Sequence, residues 1–384
     1  MKNFCSILLC LCLPFFLSGC WDAVELQQRA IVLMIGIDRI QHDSRGIRVS
    51  LQLARPQNLS TPPHPSSESG EKNTVVVSQN GIDVNDAIRK IQLATDRRLF
   101  FEHARALVIN EEVAKHGTLP IIDSMVQART APRDAWLFVS SIPAREVLQY
   151  KPALDAIPST YFTNFFGNRL LLKRSYDATL GGFHQRLVTP GIQPFAIWIG
   201  AGAKELSAPE LRGIAAFSGD HFVGGFNQEQ ALGWQLLVNQ FPKSPLTFTC
   251  PDRSDGKFVV NVRSVHSTTR VNCAKGSAPV AVISVRINGW VGNGTCLKQA
   301  NQTDLKLYKQ QVEKQTVTVL NTTIRYSKIL NADILGIGQS VYRYEPRSWY
   351  GDTEWNKGFH QVVPQIHVDA QLEFLQTYKK LGST

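Results

Sequence analysis

Residues 30–38 read Ala30-Ile-Val-Leu-Met-Ile-Gly-Ile-Asp38, an apolar run without alternation, closed by a carboxylate. A short continuous run of this kind predicts a strand buried on both faces. Working outward, Ile47, Val49, Leu51 and Leu53 alternate with polar residues, the period of a half-buried strand. Residues 56–73 hold four Pro and four Ser and read as a mobile loop within one domain, because Val75-Val76-Val77 resumes strand character at once. Asp83 can cap a helix that carries Val84, Ala87, Ile88, Ile91 and Ala94 on one face. Residues 106–109 predict a strand, 111–116 a short helix stopped by Gly117, and 119–128 a second helix. Residues 135–139 read as a strand and 143–150 as a helix opened by proline. This β–α–β–α–β order predicts an α/β domain with a mixed sheet over about residues 20–200.

From about residue 210 the pattern changes. Residues 214–217 and 221–223 predict a hairpin around Ser218-Gly219-Asp220, and Asn227 can cap a helix over 228–239. Strands are expected at 246–250, 257–263, 268–273 and 280–291. Residues 302–331 predict one long helix, with Leu305, Tyr308, Val312, Val319, Leu320 and Ile324 as a partial apolar stripe. Its run Thr316-Val-Thr-Val319 is β-branched, which disfavours helix through lost rotamer freedom. The second half therefore reads as α+β, with antiparallel strands and one long helix.

The amino terminus, MKNFCSILLCLCLPFFLSGC, decides the compartment. Lys2 is a positive n-region and residues 7–17 form an apolar run of eleven, too short to span a bilayer and matched to a secretory h-region. It ends in Leu17-Ser18-Gly19-Cys20, which resembles the bacterial lipobox. Small residues let extended backbone enter a peptidase. The Cys20 thiol takes a diacylglycerol as a thioether, and cleavage before it frees an α-amine for acylation. The plainer readings are a secretory signal with an incidental cysteine, or a short buried helix. They leave the agreement of charge, length, position and all four final residues unexplained.

The chain has 384 residues, which at about 150 per domain suggests two or three domains. Its 43% hydrophobic content supports packed cores. The formal charge is +10, or +9 once Lys2 leaves with residues 1–19. The basic residues are scattered with no run longer than two, so nucleic acid is not an expected partner. An anionic lipid surface is a better match. Of the seven cysteines, Cys5, Cys10 and Cys12 leave with the leader and Cys20 is lipidated. For Cys250, Cys273 and Cys296, free buried thiols are the simpler reading. Cys250–Cys273 is the candidate disulfide, because both end short strand-like segments and export permits the bond. With no CxxC and no histidine at ligand spacing, neither zinc nor another metal is expected.

No GxxxxGK[ST], HExxH or GxSxG occurs. Gly292-Asn-Gly294 and Gly336-Ile-Gly338 read as tight turns. Glu111-Glu112 suits a helix first turn better than an acid/base pair, Asp333 reads as a turn or cap residue, and His103 and His221 as structural. Trp349, Tyr350 and Trp355 suit either an interface patch or a satellite core. No catalytic residue and no cofactor is expected.

Several segments then line up with one family. Cys20-Trp21-Asp22 with Glu25-Leu26 and Ile35-Gly36-Ile37-Asp38 resembles the start of the Ger(x)C spore germination lipoproteins. The resemblance continues through His103 with Leu107-Val108-Ile109, Glu112–Gly117, Arg129–Arg133, Pro143–Leu148, Gly213–Phe217 and Val223–Phe226. It extends to Asn331–Gly338, Trp349 and Trp355. Two positions depart from the family pattern: Asn110, where Gly is expected in the strand-to-helix turn, and the polar start Asn301–Gln302 of the long helix. The resemblance implies a non-enzymatic, lipid-anchored C subunit of a nutrient germinant receptor. It implies a location at the spore inner membrane on the cortex-facing side, with two polytopic membrane subunits as partners. Nutrient sensing would fall to a membrane subunit, so no ligand residues are placed in this chain. The implied division is a signal peptide at 1–19, an N-terminal germination-protein domain at 20–205 and a C-terminal one at 206–384, with a further split near 275–280. A solute-binding lipoprotein of a membrane importer is the alternative; it needs two similar lobes around a cleft.

Overall fold

The computed structural model describes residues 28–40, 46–55, 73–128, 130–150, 158–167, 178–202, 209–274, 277–296 and 302–374. The lipobox residues Leu17, Ser18, Gly19 and Cys20 lie outside them, as does nearly all of the proline- and serine-rich segment, 56–72.

The apolar run becomes β1 (Arg29–Arg39). It lies inside a nine-stranded sheet with β2 (Ile47–Ala54) and β3 (Thr74–Gly81) antiparallel on one side. On the other side come β5 (Ala106–Asn110), β6 (Trp136–Ser140) and β7 (Phe195–Ala201), all parallel. The short β4 (Arg98–Phe100) pairs with the start of β1. β8 (Pro209–Ser218) and β9 (His221–Phe226) close the row as an antiparallel hairpin, turning through Gly219 at φ +60°. The sheet therefore runs past residue 205. Val32, Ile35 and Ile37 have no exposure, because helices cover both faces of the sheet.

One face is packed by α1 (Val84–Leu93), α2 (Glu111–Lys115), α3 (Leu119–Gln127) and α6 (Leu180–Leu187), through Ile91, Ala114, Ile122 and Phe183. The other is packed by α4 (Ala144–Gln149), by Phe162 of α5 (Pro158–Gly167) and by Trp234 of α7 (Gln228–Leu237). Two caps follow the sequence: Asp83 accepts from the Asp86 N–H at 2.8 Å, and Asn227 forms a reciprocal capping box with Gln230. The alternating strand β2 differs from expectation. Its polar face is not wet, since Ser50 and Gln52 are fully buried beneath α4. Ser50 bonds the Ser78 hydroxyl at 2.8 Å and Gln52 Nε2 donates to the Leu148 carbonyl at 2.6 Å, which offsets part of the cost of burial, while Gln52 Oε1 is buried without a partner.

The second sheet holds β10 (Pro245–Thr249), β11 (Lys257–Asn272), β12 (Val280–Gly294) and β13 (Val363–Phe374), in that order. The two strands expected at 257–263 and 268–273 are one strand with register shifts. β11 and β12 stay paired up to Asn272 and Val280, so both flanks of the 275–280 segment belong to one sheet. β13 runs parallel to β12, so this sheet is mixed, not wholly antiparallel. The connection is a crossover through α8 (Gln302–Ile329), about 40 Å of helix at 1.5 Å per residue. α8 buries Tyr308, Val312, Leu320 and Ile324 against Phe258, Val260 and Ile287. Each such side chain contributes about 1.5–3 kcal/mol. The stripe also contains Thr316, Thr323 and Ser327, all buried. Thr323 lies against Gly233 of α7, where a Cβ would stand 2.0 Å from its Oγ1, and donates to the Gln230 carbonyl at 3.0 Å.

Candidate functional site

Three of the segments singled out in the sequence meet at one end of the first sheet. Ile35–Asp38 ends β1, Asn110 joins β5 to α2, and Pro143 leads from β6 into α4. All three lie at carboxyl ends of parallel strands. After β5 the chain turns onto the face holding Ile35 and Ile37, where Val113 and Ala114 pack. After β6 it turns onto the opposite face, where Ala144, Val147 and Leu148 pack with Met34. A crevice opens where adjacent connections diverge, the usual ligand position in open α/β sheets. Here it is a cavity of about 710 Å³ bordered by Asp38, Arg39, Arg48, Asn110, Arg145 and Glu146.

Local sequence explains its walls. A Cβ on Gly36 would stand 3.2 Å from both Ala144 Cβ and Leu148 Cδ1, so glycine lets α4 lie close on β1. Two residues on, on the same side of the strand, Asp38 accepts from the Ala144 N–H at 2.6 Å and the Arg145 N–H at 3.0 Å. Burial pushes the Asp38 carboxyl above the ordinary carboxylate range. Those two N–H groups and the charge of Arg48, its direct cross-strand partner, pull the other way. Asn110 needs no glycine conformation, since its φ of −65° and ψ of 144° are extended. Its side chain serves two connections at once. Oδ1 caps α2 by accepting from the Glu112 N–H at 3.0 Å, and Nδ2 donates to the Ile142 carbonyl at 3.1 Å. The departure from the family pattern at this position is thus a side-chain cap in place of a flexible turn.

Arg39 closes one side. Its Nη1 lies 2.6 Å from His116 Nε2 and 2.9 Å from Nδ1, and Nδ1 lies 2.7 Å from the Glu112 carbonyl. Beyond this wall a smaller cavity of about 210 Å³ is bordered by Ile82, His116 and Ile121. Glu111 and Glu112 engage separate partners. Glu111 accepts from Trp198 Nε1 at 2.7 Å and Glu112 from Lys115 at 2.7 Å, which holds the Glu112 carboxyl below its ordinary value.

A second cluster joins the two sheets. Asp333 is 1% exposed, and its carboxylate accepts from Ile337 N at 3.1 Å, Gly338 N at 2.7 Å and Trp355 Nε1 at 3.0 Å. Burial raises its pKa to about 6 against those three donors. Its carbonyl accepts from Gln193 N, while Gly191 N donates to Asp352 at 2.7 Å and Gln193 Nε2 to Asn356 at 3.1 Å. Asp333 is therefore a turn residue, as its sequence suggests, that also locks β7's approach to the C-terminal helices. The aromatic group divides. Trp355 is core, packed with Phe359, whereas Tyr350 is 77% exposed. His103 and His221 are surface residues, the first beside Phe100 and the second 2.9 Å from Asp220.

The cysteine expectation is corrected. Cys250 pairs with Cys296, and Cys273 is the free thiol among the described residues. Cys250 lies at one end of β11, bonded through its N–H to the Gly256 carbonyl, and Cys273 follows the other end. Sixteen residues of strand separate those ends, about 50 Å. Thr295, bonded to Lys257, instead brings Cys296 beside Cys250. The arginines of the crevice were not legible as a site. Their only sequence signal is that Asp38 and Arg48 close the facing ends of consecutive strands.

Comparisons place this architecture. Residues 22–201 match the family model described as spore germination protein N-terminal domain, and residues 212–374 the model described as spore germination B3/GerAC-like, C-terminal. Spore germination protein KC of Bacillus subtilis (strain 168) is 25% identical, covering 93% of this chain and 91% of its own. The crystal structure of the GerBC protein superposes with a TM-score of 0.53 at 10% identity, covering 88% of this chain and 96% of that one, and so shares the fold. The chain belongs to the Ger(x)C family of GerAC-like spore germination proteins.

Proposed function

We propose that this chain is the lipid-anchored C subunit of a nutrient germinant receptor, needed for receptor assembly and for nutrient-triggered germination. The observation that carries the reading is the match of both family models, in order, across residues 22–374. The lipobox Leu17-Ser18-Gly19-Cys20 supports anchoring through a diacylglycerol on the Cys20 thiol and an acyl group on its amine. No helix among the described residues is long and apolar enough to cross a membrane, so attachment in this reading rests on the lipid. The location is the spore inner membrane on the cortex-facing side, and the partners are two polytopic membrane subunits. The role is non-catalytic, in keeping with carboxylates engaged as caps and ion pairs. The division into 20–205 and 206–384 belongs to the same reading, since the two family models end and resume on either side of it. The two sheets differ in size and order, which does not favour the paired lobes of a solute-binding protein.

The test is Cys20→Ala in sporulating cells fed a labelled fatty acid. The variant should lose the label, leave the membrane fraction and fail to support nutrient-triggered loss of optical density. Equal label on both proteins, or normal germination with the variant in the soluble fraction, refutes the reading.

A further inference from the structure

The strand-end crevice carries three guanidiniums among three wall carboxylates. Its three guanidiniums come from three elements: Arg39 from β1, Arg48 from β2 and Arg145 from α4. None of the three is ion-paired with a carboxylate among the described residues. Arg48 Nε donates to the Asn80 carboxamide and Arg39 Nη1 to His116, which leaves most of their donors available. Asp38 and Glu112 feel the charges of Arg48 and Arg39, but none of the three wall carboxylates forms an ion pair with a crevice arginine among the described residues. Asp38 is turned inward onto the backbone of α4, Glu112 is held by Lys115, and Glu146 stands exposed at the rim. Asn110, a neutral polar group of the lining, is committed to the Ile142 carbonyl and the cap of α2. The volume of about 710 Å³ falls in the range of small-molecule sites, roughly 300–1,000 Å³.

We infer that this crevice binds a small multivalent anion, a di- or tricarboxylate or a phosphate group, held by Arg39, Arg48 and Arg145. Planar guanidiniums meet carboxylate and phosphate oxygens through paired N–H donors, which an ammonium cannot reproduce. The position is the one where open α/β sheets bind ligands, outside the carboxyl ends of strands whose connections diverge. The occupant is a free solute and not the headgroup of the anchoring membrane. That choice alone rests on the lipid-anchor reading. The chain enters β1 at Arg29, and the crevice lies beyond its other end, about 35 Å away. The eight residues between Cys20 and Arg29 keep the entry end of β1 within about 30 Å of the anchor.

The experiment is calorimetry of the full chain in neutral detergent, titrated with citrate and with inorganic phosphate over a chloride background. Wild type should bind at least one of them. Arg145→Ala should weaken that binding about tenfold or more, Arg145→Lys should restore only part, and exposed Arg347→Ala should leave it unchanged. Arg145 is exposed, and an unaltered melting curve verifies that its variants fold. No heat from either anion with wild type, or equal affinity in Arg145→Ala, overturns the inference. A parallel flotation assay uses phosphatidylglycerol and phosphatidylcholine vesicles. Binding to the anionic vesicles that depends on Arg145, without citrate or phosphate binding, assigns the arginines to lipid and also overturns it. None of these readouts uses germination, so a failure here is separable from a failure of the receptor role.

Discussion

The disulfide gives the sharpest test of the C-terminal sheet. Cys250 and Cys296 are 46 residues apart in sequence, and their bond ties the end of β10 to the end of β12. The chain-entropy relation for a loop of that size gives about −13.5 cal/mol/K, or about 4 kcal/mol at 25 °C. Part of the effect of replacing the cysteines would be lost packing, because Cys250 is 3% exposed beside Phe248 and Phe258. Reducing the wild-type protein separates the two, since it opens the loop and keeps every side chain. With a urea slope of about 2–3 kcal/mol/M, reduction should lower the midpoint of the C-terminal transition by about 1–2 M. The linkage itself is read by non-reducing tryptic mapping. The sequence places the three cysteines in separate peptides, 244–253, 271–275 and 287–298. The expected species is 244–253 joined to 287–298, with 271–275 alkylated. A join between 244–253 and 271–275, or an unchanged midpoint on reduction, refutes the reasoning.

Val312→Pro should destabilise the C-terminal half by about 3 kcal/mol or more and lower protein level in spores by immunoblot, because Val312 is fully buried in mid-α8. Exposed Gln310→Ala should leave level and melting temperature unchanged. Gly233→Ala gains about 1 kcal/mol of helix propensity but places a Cβ 2.0 Å from Thr323 Oγ1, so a net loss of about 1–3 kcal/mol is expected. A double-mutant cycle with Thr323→Ala should show favourable coupling, and strict additivity would rule the contact out. Asp333 should make stability fall as pH rises. Its folded pKa is raised to about 6 from 3.8, so its contribution is full below about pH 4 and lost through pH 6, up to about 3 kcal/mol. Asp333→Asn should flatten that part of the urea midpoint against pH, and parallel profiles for the two proteins would exclude the carboxyl as its source.

Much of the fold was legible because its signals are local. The unbroken run 30–38 marked a strand covered on both faces, Asp83 and Asn227 marked helix starts, and the stripe of α8 marked the side that packs. Other elements were hidden by their surroundings. β2 read as half-wet, since alternation reports only where polar side chains stand and not that α4 covers them. β13 is short of core residues, with Ala370 and Leu372 its buried positions, so its pattern was too weak to mark a strand.

The amino acids by themselves determined the family, much of the order of elements and the absence of familiar catalytic motifs. These are properties of neighbouring residues or of spacing along the chain. The partner of Cys250, the parallel placement of β13, the clasp around Asp333 and the crevice of Arg39, Arg48 and Arg145 were decided by the tertiary structure alone. Each joins residues from roughly 10 to 160 positions apart, and what joins them is strand pairing and the face onto which each helix turns. No local preference encodes either; both follow from burying the apolar faces of the two sheets together.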